Sequence, residues 1–267
     1  MPIVTAAILP HGGGLVRGFE EAEGDYALLR HSVVECSKKV LSKSPETVVI
    51  VTPHNLRIRG VMGVIGTEYL TGTVVNGRHR IKIDIPTDRE LANRIYSVAQ
   101  KMKLPVAFVN YGTDSGSNSR MPLDWGTIIP LHFLRSIKKA VLLTPSREIP
   151  WSNLVDMGVC VDKAASEFKR RVLFVASADQ AHAHDKNGPY GYDPAAAKFD
   201  KLVLSILKGE RLKELLSIDK TLVEDAKPDS LWQMLMLAGA IASHSMKLQY
   251  LQYDRPSYYG MLAAAFY

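Results

Sequence analysis

The chain has 267 residues, 46% of them hydrophobic and 22% charged, with a formal net charge of +6. These proportions are ordinary for a globular protein and exclude a disordered or collagen-like chain, and no run approaches the ~18 apolar residues of a membrane helix. The basic residues form only short scattered clusters (Lys38-Lys39, Lys138-Lys139, Lys169-Arg170-Arg171) without a nucleic-acid-reading motif, so neither nucleic acid nor a membrane is the expected partner.

In chain order, the N-terminal MPIVTAAILPHGGG lacks the basic n-region of a secretory signal, and its apolar run predicts a strand at residues 3–9. A helix is predicted at 20–41, where Tyr26, Leu29, Val33, Val34, Cys36 and Val40 recur at helical spacing. Short Val- and Ile-rich runs predict strands at 47–52 and 61–65. A hairpin is expected at 71–85, with Asn76-Gly77 as its two-residue turn. Then come a helix at 87–102, strands at 106–110 and 140–144, a helix at 153–170, a strand at 171–177, and helices at 195–208 and 230–243. Continuous rather than alternating hydrophobicity marks strands covered on both faces. The expected fold class is α/β, a mostly parallel or mixed central sheet flanked by helices with an antiparallel hairpin insertion. No linker or repeat divides the chain, so one domain is expected over 1–267. Cys36 and Cys160 form no clustered pattern, as in a reducing cytoplasm.

Two of these strands end alike. ILPHGGG and VTPHN both run strand, Pro, His, loop. Proline has no N–H for the ladder and ends it, which projects His11 and His54 from the sheet edge where open α/β sheets bind ligands. Imidazole is the commonest protein ligand of iron, zinc and copper, so the pair is a candidate for one metal site. The alternative is that each histidine merely closes a loop.

A third strand leads into ASADQAHAHDKNGPYGYDP, which brings Asp179, His182 and His184 to another strand end. A histidine there suits a ligand or a general base, and the GPYGYDP turn, with Tyr190, suits a pocket wall. In KPDSLWQMLML, Asp229 stands at the start of an apolar helix. It is either a helix-start residue meeting the positive dipole end, or the carboxylate that completes a two-histidine, one-carboxylate facial triad.

Together these segments resemble the class III extradiol ring-cleavage dioxygenases, the family of the protocatechuate 4,5-dioxygenase catalytic subunit, and most closely a microbial branch related to the Memo proteins. The resemblance is carried by ILPH, VTPH, PLDWGTIIPL, SADQAH, GPYGYDP and the tail YDRPSYYGMLAAAF. It implies that His11, His54 and Asp229 hold Fe(II), with Zn(II) chemically suited as well, and that His182 is the acid–base catalyst. It implies a small aromatic diol and dioxygen as substrates and allows a homo-oligomer. Asp179, His184, Tyr190 and Tyr259 fall around the implied substrate pocket. The family's LDHG histidine is Trp125 here, and an indole cannot shuttle protons. His132, seven residues on, is the candidate to replace it. The same ligands would also serve a Memo-like metal- or peptide-binding module, or a zinc hydrolase.

Overall fold

The computed structural model describes residues 2–19 and 25–267. Its strands and helices are β1 (Ile3–Leu9), α1 (Ala27–Leu41), β2 (Thr47–Val51), β3 (Met62–Ile65), β4 (Tyr69–Asn76), β5 (His79–Pro86), α2 (Arg89–Lys101), β6 (Val106–Val109), β7 (Arg120–Pro122), α3 (Trp125–Phe133), β8 (Lys139–Thr144), α4 (Trp151–Phe168), β9 (Val172–Ser177), α5 (Pro194–Lys208), α6 (Lys220–Ala226), α7 (Leu231–Ala240), β10 (Leu248–Asp254) and β11 (Met261–Phe266). Residues 20–24 of the helix expected at 20–41 lie outside the described residues, and Asp25 and Tyr26 precede α1 without being helical.

The main sheet has eight strands in the order β10-β11-β1-β9-β2-β8-β3-β6. Its centre, β1, β9, β2 and β8, is parallel. The edges make it mixed, because β3 runs antiparallel to β8 and β11 antiparallel to β1. Alternate residues of the central strands feed two cores. Ile8, Val49 and Phe174 point to one with α2, α4, α5 and α7; Leu9, Ile50 and Val175 point to the other with α1 and α3. That double burial is why these strands read as unbroken apolar runs. On the first face α4 and α7 cross backbone to backbone. A Cβ on Gly158 would lie 1.9 Å from the Met236 carbonyl oxygen, and one on Gly239 would lie 1.8 Å from that of Val155, so each helix needs a glycine there.

The hairpin β4–β5 forms a second, three-stranded sheet with β7 and covers the second core. The register pairs Asn76 with His79, so the turn residues are Gly77-Arg78 rather than Asn76-Gly77. A one-residue slip would turn buried Ile81 and Ile83 outward, and this burial overrides the local turn preference. β7, α6 and β10 were not expected from the periodicity. They are three residues, seven residues and a half-buried strand of mixed polarity, too short or too polar for a pattern to emerge. No helix among the described residues is long and apolar enough to cross a membrane.

Candidate metal centre

The adjacent parallel strands β1, β9 and β2 end together at the C-terminal edge of the sheet. From β1 the chain continues through Pro10 to His11, from β9 through Ala178 to Asp179, and from β2 through Thr52 and Pro53 to His54. Asp229 arrives from the turn between α6 and α7.

His11, His54 and Asp229 converge. The two Nε2 atoms lie 3.0 Å apart, and Asp229 Oδ2 is 3.3 Å from that of His11 and 3.0 Å from that of His54. Asp229 Oδ2 is buried, and no donor among the described residues is aligned to hydrogen-bond it. Three ligands at the usual ~2.0–2.2 Å from one ion are separated from one another by roughly 2.8–3.6 Å, whether the ion is octahedral or tetrahedral. All three separations fall in that range, and an orphaned buried carboxylate oxygen is what an ion would satisfy. The donor set therefore fits a divalent metal. Two imidazoles and a carboxylate suit iron or zinc alike.

Neighbouring groups fix each ligand. Ser177 Oγ donates to the carbonyl of Gly126. Its lone pair is thereby directed at His11 Nδ1, 2.9 Å away. His11 then carries its proton on Nδ1 and turns the bare Nε2 toward the cluster. The His11 backbone N–H donates to Asp179 Oδ1 at 3.0 Å, and the Asp179 N–H donates to Asp229 Oδ1 at 3.0 Å. Gln233 Nε2 donates to the carbonyls of Ser177 and Asp229, clamping the start of α7 to the end of β9. Asp124 caps α3 by accepting from the Thr127 N–H, and it also accepts from Thr52 Oγ1 and Asn55 Nδ2 on either side of His54. Ser230 makes no side-chain cap for α7, and the Asp229 carboxylate faces the histidines instead of the helix.

Charge in this cage is tightly balanced. Burial alone would lower the His11 pKa, but Asp179 and Asp229 outweigh it and raise it from 6.5 to about 9. Burial pushes the Asp229 carboxyl up, while His11, His54 and His182 more than reverse this and hold it well below the usual carboxylate range. Without metal, His11 is thus an imidazolium at neutral pH. Its folded pKa exceeds its unfolded one, so this pairing stabilises the metal-free protein fully below pH 6.5 and is lost as pH rises through about 9. The loss amounts to about 3 kcal/mol. A metal ion displaces that proton, so metal affinity should show the opposite trend and rise with pH. Urea denaturation of chelator-treated protein between about pH 6 and 10 checks the first trend. A flat profile would mean that His11 is not held in this charge cage.

The chain matches the family model of the catalytic LigB subunit of aromatic ring-opening dioxygenase over residues 5–266. The chain belongs to this family. Among similar proteins, CA_C1420 of Clostridium acetobutylicum is 28% identical over 224 residues, which is 82% of this chain but 47% of that protein. The chain thus spans about half the length of the curated relative it matches. The crystal structure of the uncharacterized protein JW3007 from Escherichia coli K12 shares the fold, with a TM-score of 0.60 at 18% identity, covering 98% of this chain and 99% of that one.

Around the cluster of this dioxygenase-family chain, the other residues singled out from the sequence divide into two groups. His182, Tyr190, Tyr259 and Trp125 gather near it. The His182 ring stacks on Tyr259 at 5.2 Å and 10° and meets Tyr190 edge-on at 5.4 Å. Its Nδ1 donates to the Gln180 carbonyl at 2.9 Å, leaving Nε2 free to accept. Burial lowers the His182 pKa; Asp229 opposes this, while His11 and His54 push it further down. Trp125, 49% exposed, stacks on His54 at 4.3 Å.

His132 and His184 are engaged elsewhere. His132 sits at the far end of α3, within 2.7 Å of an Arg135 nitrogen, in a separate hollow lined by Leu15, Arg30 and Phe133. Its ring partners are thus Arg135 and Phe133, about two turns of α3 away from Trp125. His184 pairs through Nε2 with Asp200 at 2.8 Å, and Asp200 also accepts from Tyr253 and the Ala181 N–H. That buried network braces the loop bearing His182. Ser177, Asp124, Gln233 and Asp200 were absent from the sequence reading. Its place at the end of a strand marked Ser177 faintly, and a helix-start Asp three residues before Thr127 marked Asp124.

Proposed function

We propose that the protein is a non-haem Fe(II)-dependent dioxygenase that opens the ring of a small catecholic aromatic by extradiol cleavage, with dioxygen as co-substrate. The observation that supports it most is the convergence of His11, His54 and Asp229 at the sheet edge, with the Nε2 of His182 left free beside them. Iron bound by those three groups would supply open coordination positions and the electron transfer that ring cleavage by dioxygen requires. The protein's own residues supply the rest. His182, neutral at pH 7, takes the proton of a catechol hydroxyl at Nε2 and returns it later. Tyr259, stacked on His182, fixes that ring's orientation, and Tyr190 meets the ring edge-on. Trp125 covers one flank of His54 and sheds water there without moving a proton.

We read residues 1–267 as one domain. Its two free, buried cysteines accord with the reducing cytoplasm. The second reading is a metal-binding module without turnover, and Trp125 in place of the family's histidine favours it.

Anaerobic reconstitution with Fe(II), followed by a panel of catechols and dioxygen, separates the two. Oxygen uptake with yellow ring-opened product is the expected result. Absence of uptake with every catechol would overturn ring cleavage in favour of the binding module.

A further inference from the structure

Asp200 is a carboxylate where the packing of α5 calls for a hydrocarbon. It stands on the buried stripe of that helix with Ala196, Phe199 and Val203, and it is 3% exposed. Desolvating a carboxylate there is costly, and an apolar side chain of similar size would hold α5 to the core at least as well.

What the carboxylate holds is specific. Oδ1 accepts from the Ala181 N–H at 2.9 Å, and Oδ2 accepts from His184 Nε2 at 2.8 Å and from the Tyr253 hydroxyl at 2.6 Å. Burial and then the Asp200 charge push the Tyr253 pKa well up, so that hydroxyl keeps the proton it donates. Gly260 passes directly over the group, where a Cβ would run into Oδ2.

These contacts converge on the turn that orients His182. The His182 Nδ1 donates to the Gln180 carbonyl, and Ala181 is the residue between them. Asp200 takes the Ala181 N–H, and the Gly260 N–H donates to the Ala181 carbonyl at 3.0 Å. The Gln180 N–H in turn donates to the Gly260 carbonyl at 2.7 Å. Gly260 follows Tyr259, the ring stacked on His182. Residues 178–193 lie between β9 and α5 and contain no helix or ladder strand, so the turn is set by such anchors rather than by regular structure. The Ala226 carbonyl accepts from the His182 and Ala183 N–H groups, but the N–H of Ala181 is left to Asp200.

We propose that Asp200 is a positioning residue for His182: by gripping Ala181 and His184 from α5, it keeps the His182 proton on Nδ1 and leaves Nε2 free as the base. The consequence for turnover rests on the ring-cleavage reading; the effect on the imidazole does not.

The imidazole is read by nitrogen NMR of isotope-labelled histidines in Zn(II)-loaded protein at neutral pH, and turnover by oxygen uptake of the Fe(II)-loaded protein. Wild type is expected to show His182 as one neutral form with its proton on Nδ1. Asp200→Ala should show both tautomers at His182 while the His11 and His54 signals stay in place. It should also lower kcat about a hundredfold, with KM and metal content unchanged. Asp200→Asn has one acceptor oxygen, which can serve Ala181 or the His184–Tyr253 pair but not both. It should fall between the two, and it carries the test if the alanine variant does not fold. In a His182→Ala background, Asp200→Ala should cost no further turnover, because both changes remove one function. An unchanged His182 tautomer in the variants, or a second full loss in the His182→Ala background, would overturn the proposal. So would mixed His182 tautomers in the wild type. No oxygen uptake by the wild type would overturn ring cleavage, and the NMR comparison would still decide the role of Asp200.

Discussion

Asp229→Ala is expected to strip the metal from the protein while leaving the fold in place. The carboxylate is the anionic member of a three-ligand set, and removing it leaves two neutral imidazoles to hold a divalent cation. Loss of a group that merely orients a ligand costs about 10–100-fold in affinity, so loss of a ligand should exceed ~100-fold. Elemental analysis after desalting should find almost no metal. Helix α7 should survive, because Asp229 does not cap it and Gln233 holds its first turn through main-chain carbonyls. The cost to the fold is the buried Asp179 N–H left without an acceptor, about 1–3 kcal/mol. Asp229→Asn keeps an oxygen for that N–H and isolates the loss of charge. His11→Ala and His54→Ala should empty the site in the same way. Full metal occupancy in all three alanine variants would remove the cluster from metal binding, and a variant that lost only helix stability would make Asp229 a helix-start residue after all.

The sheet edge could be read from the sequence because its physics is local. A run such as TVVIV followed by Thr-Pro-His needs no tertiary knowledge to be a buried strand that ends, since burial on both faces and proline's missing N–H act within a few residues. Four other strand ends, at Met62, Val109, Lys139 and Val172, differ from the expected ones by a single residue. The hairpin turn shows the limit. Asn76-Gly77 is the better turn locally, but the burial of Ile81 and Ile83 against distant residues sets the register.

The metal centre was legible only in part, because its supports come from distant parts of the chain. Ser177 acts on His11 across 166 positions, and Asp179 reaches Asp229 across 50. Nothing in the spacing of Ser177 announces that its hydroxyl is spent on Gly126 and so fixes an imidazole tautomer. Asp229 was ambiguous because a carboxylate at a helix start can serve the helix or a ligand equally well, and only the direction of its side chain distinguishes the two. His184 and His132 show a related limit. A histidine beside a site in sequence carries the same signal whether its ring turns to the ligand, to Asp200 or to Arg135.

Substitution of His182 by alanine is the second large effect expected, a fall in turnover of about 10²–10⁴-fold with metal content unchanged. Its ring contacts the metal ligands only through charge, yet its free Nε2 is a base available at neutral pH. The Nδ1–H is committed to the Gln180 carbonyl, which fixes the tautomer, and burial of the ring opposes its protonation. The acidic limb of the wild-type rate profile should therefore fall below the ordinary histidine value of ~6.5, and it should vanish in the variant. His182→Phe distinguishes proton transfer from packing. Phenylalanine can keep the stack on Tyr259 but has no nitrogen to accept a proton. Turnover as low as in the alanine variant assigns the role to the imidazole; recovery to the wild-type rate would mean that the ring only holds Tyr259 in place, and the proton would then have to leave by another group.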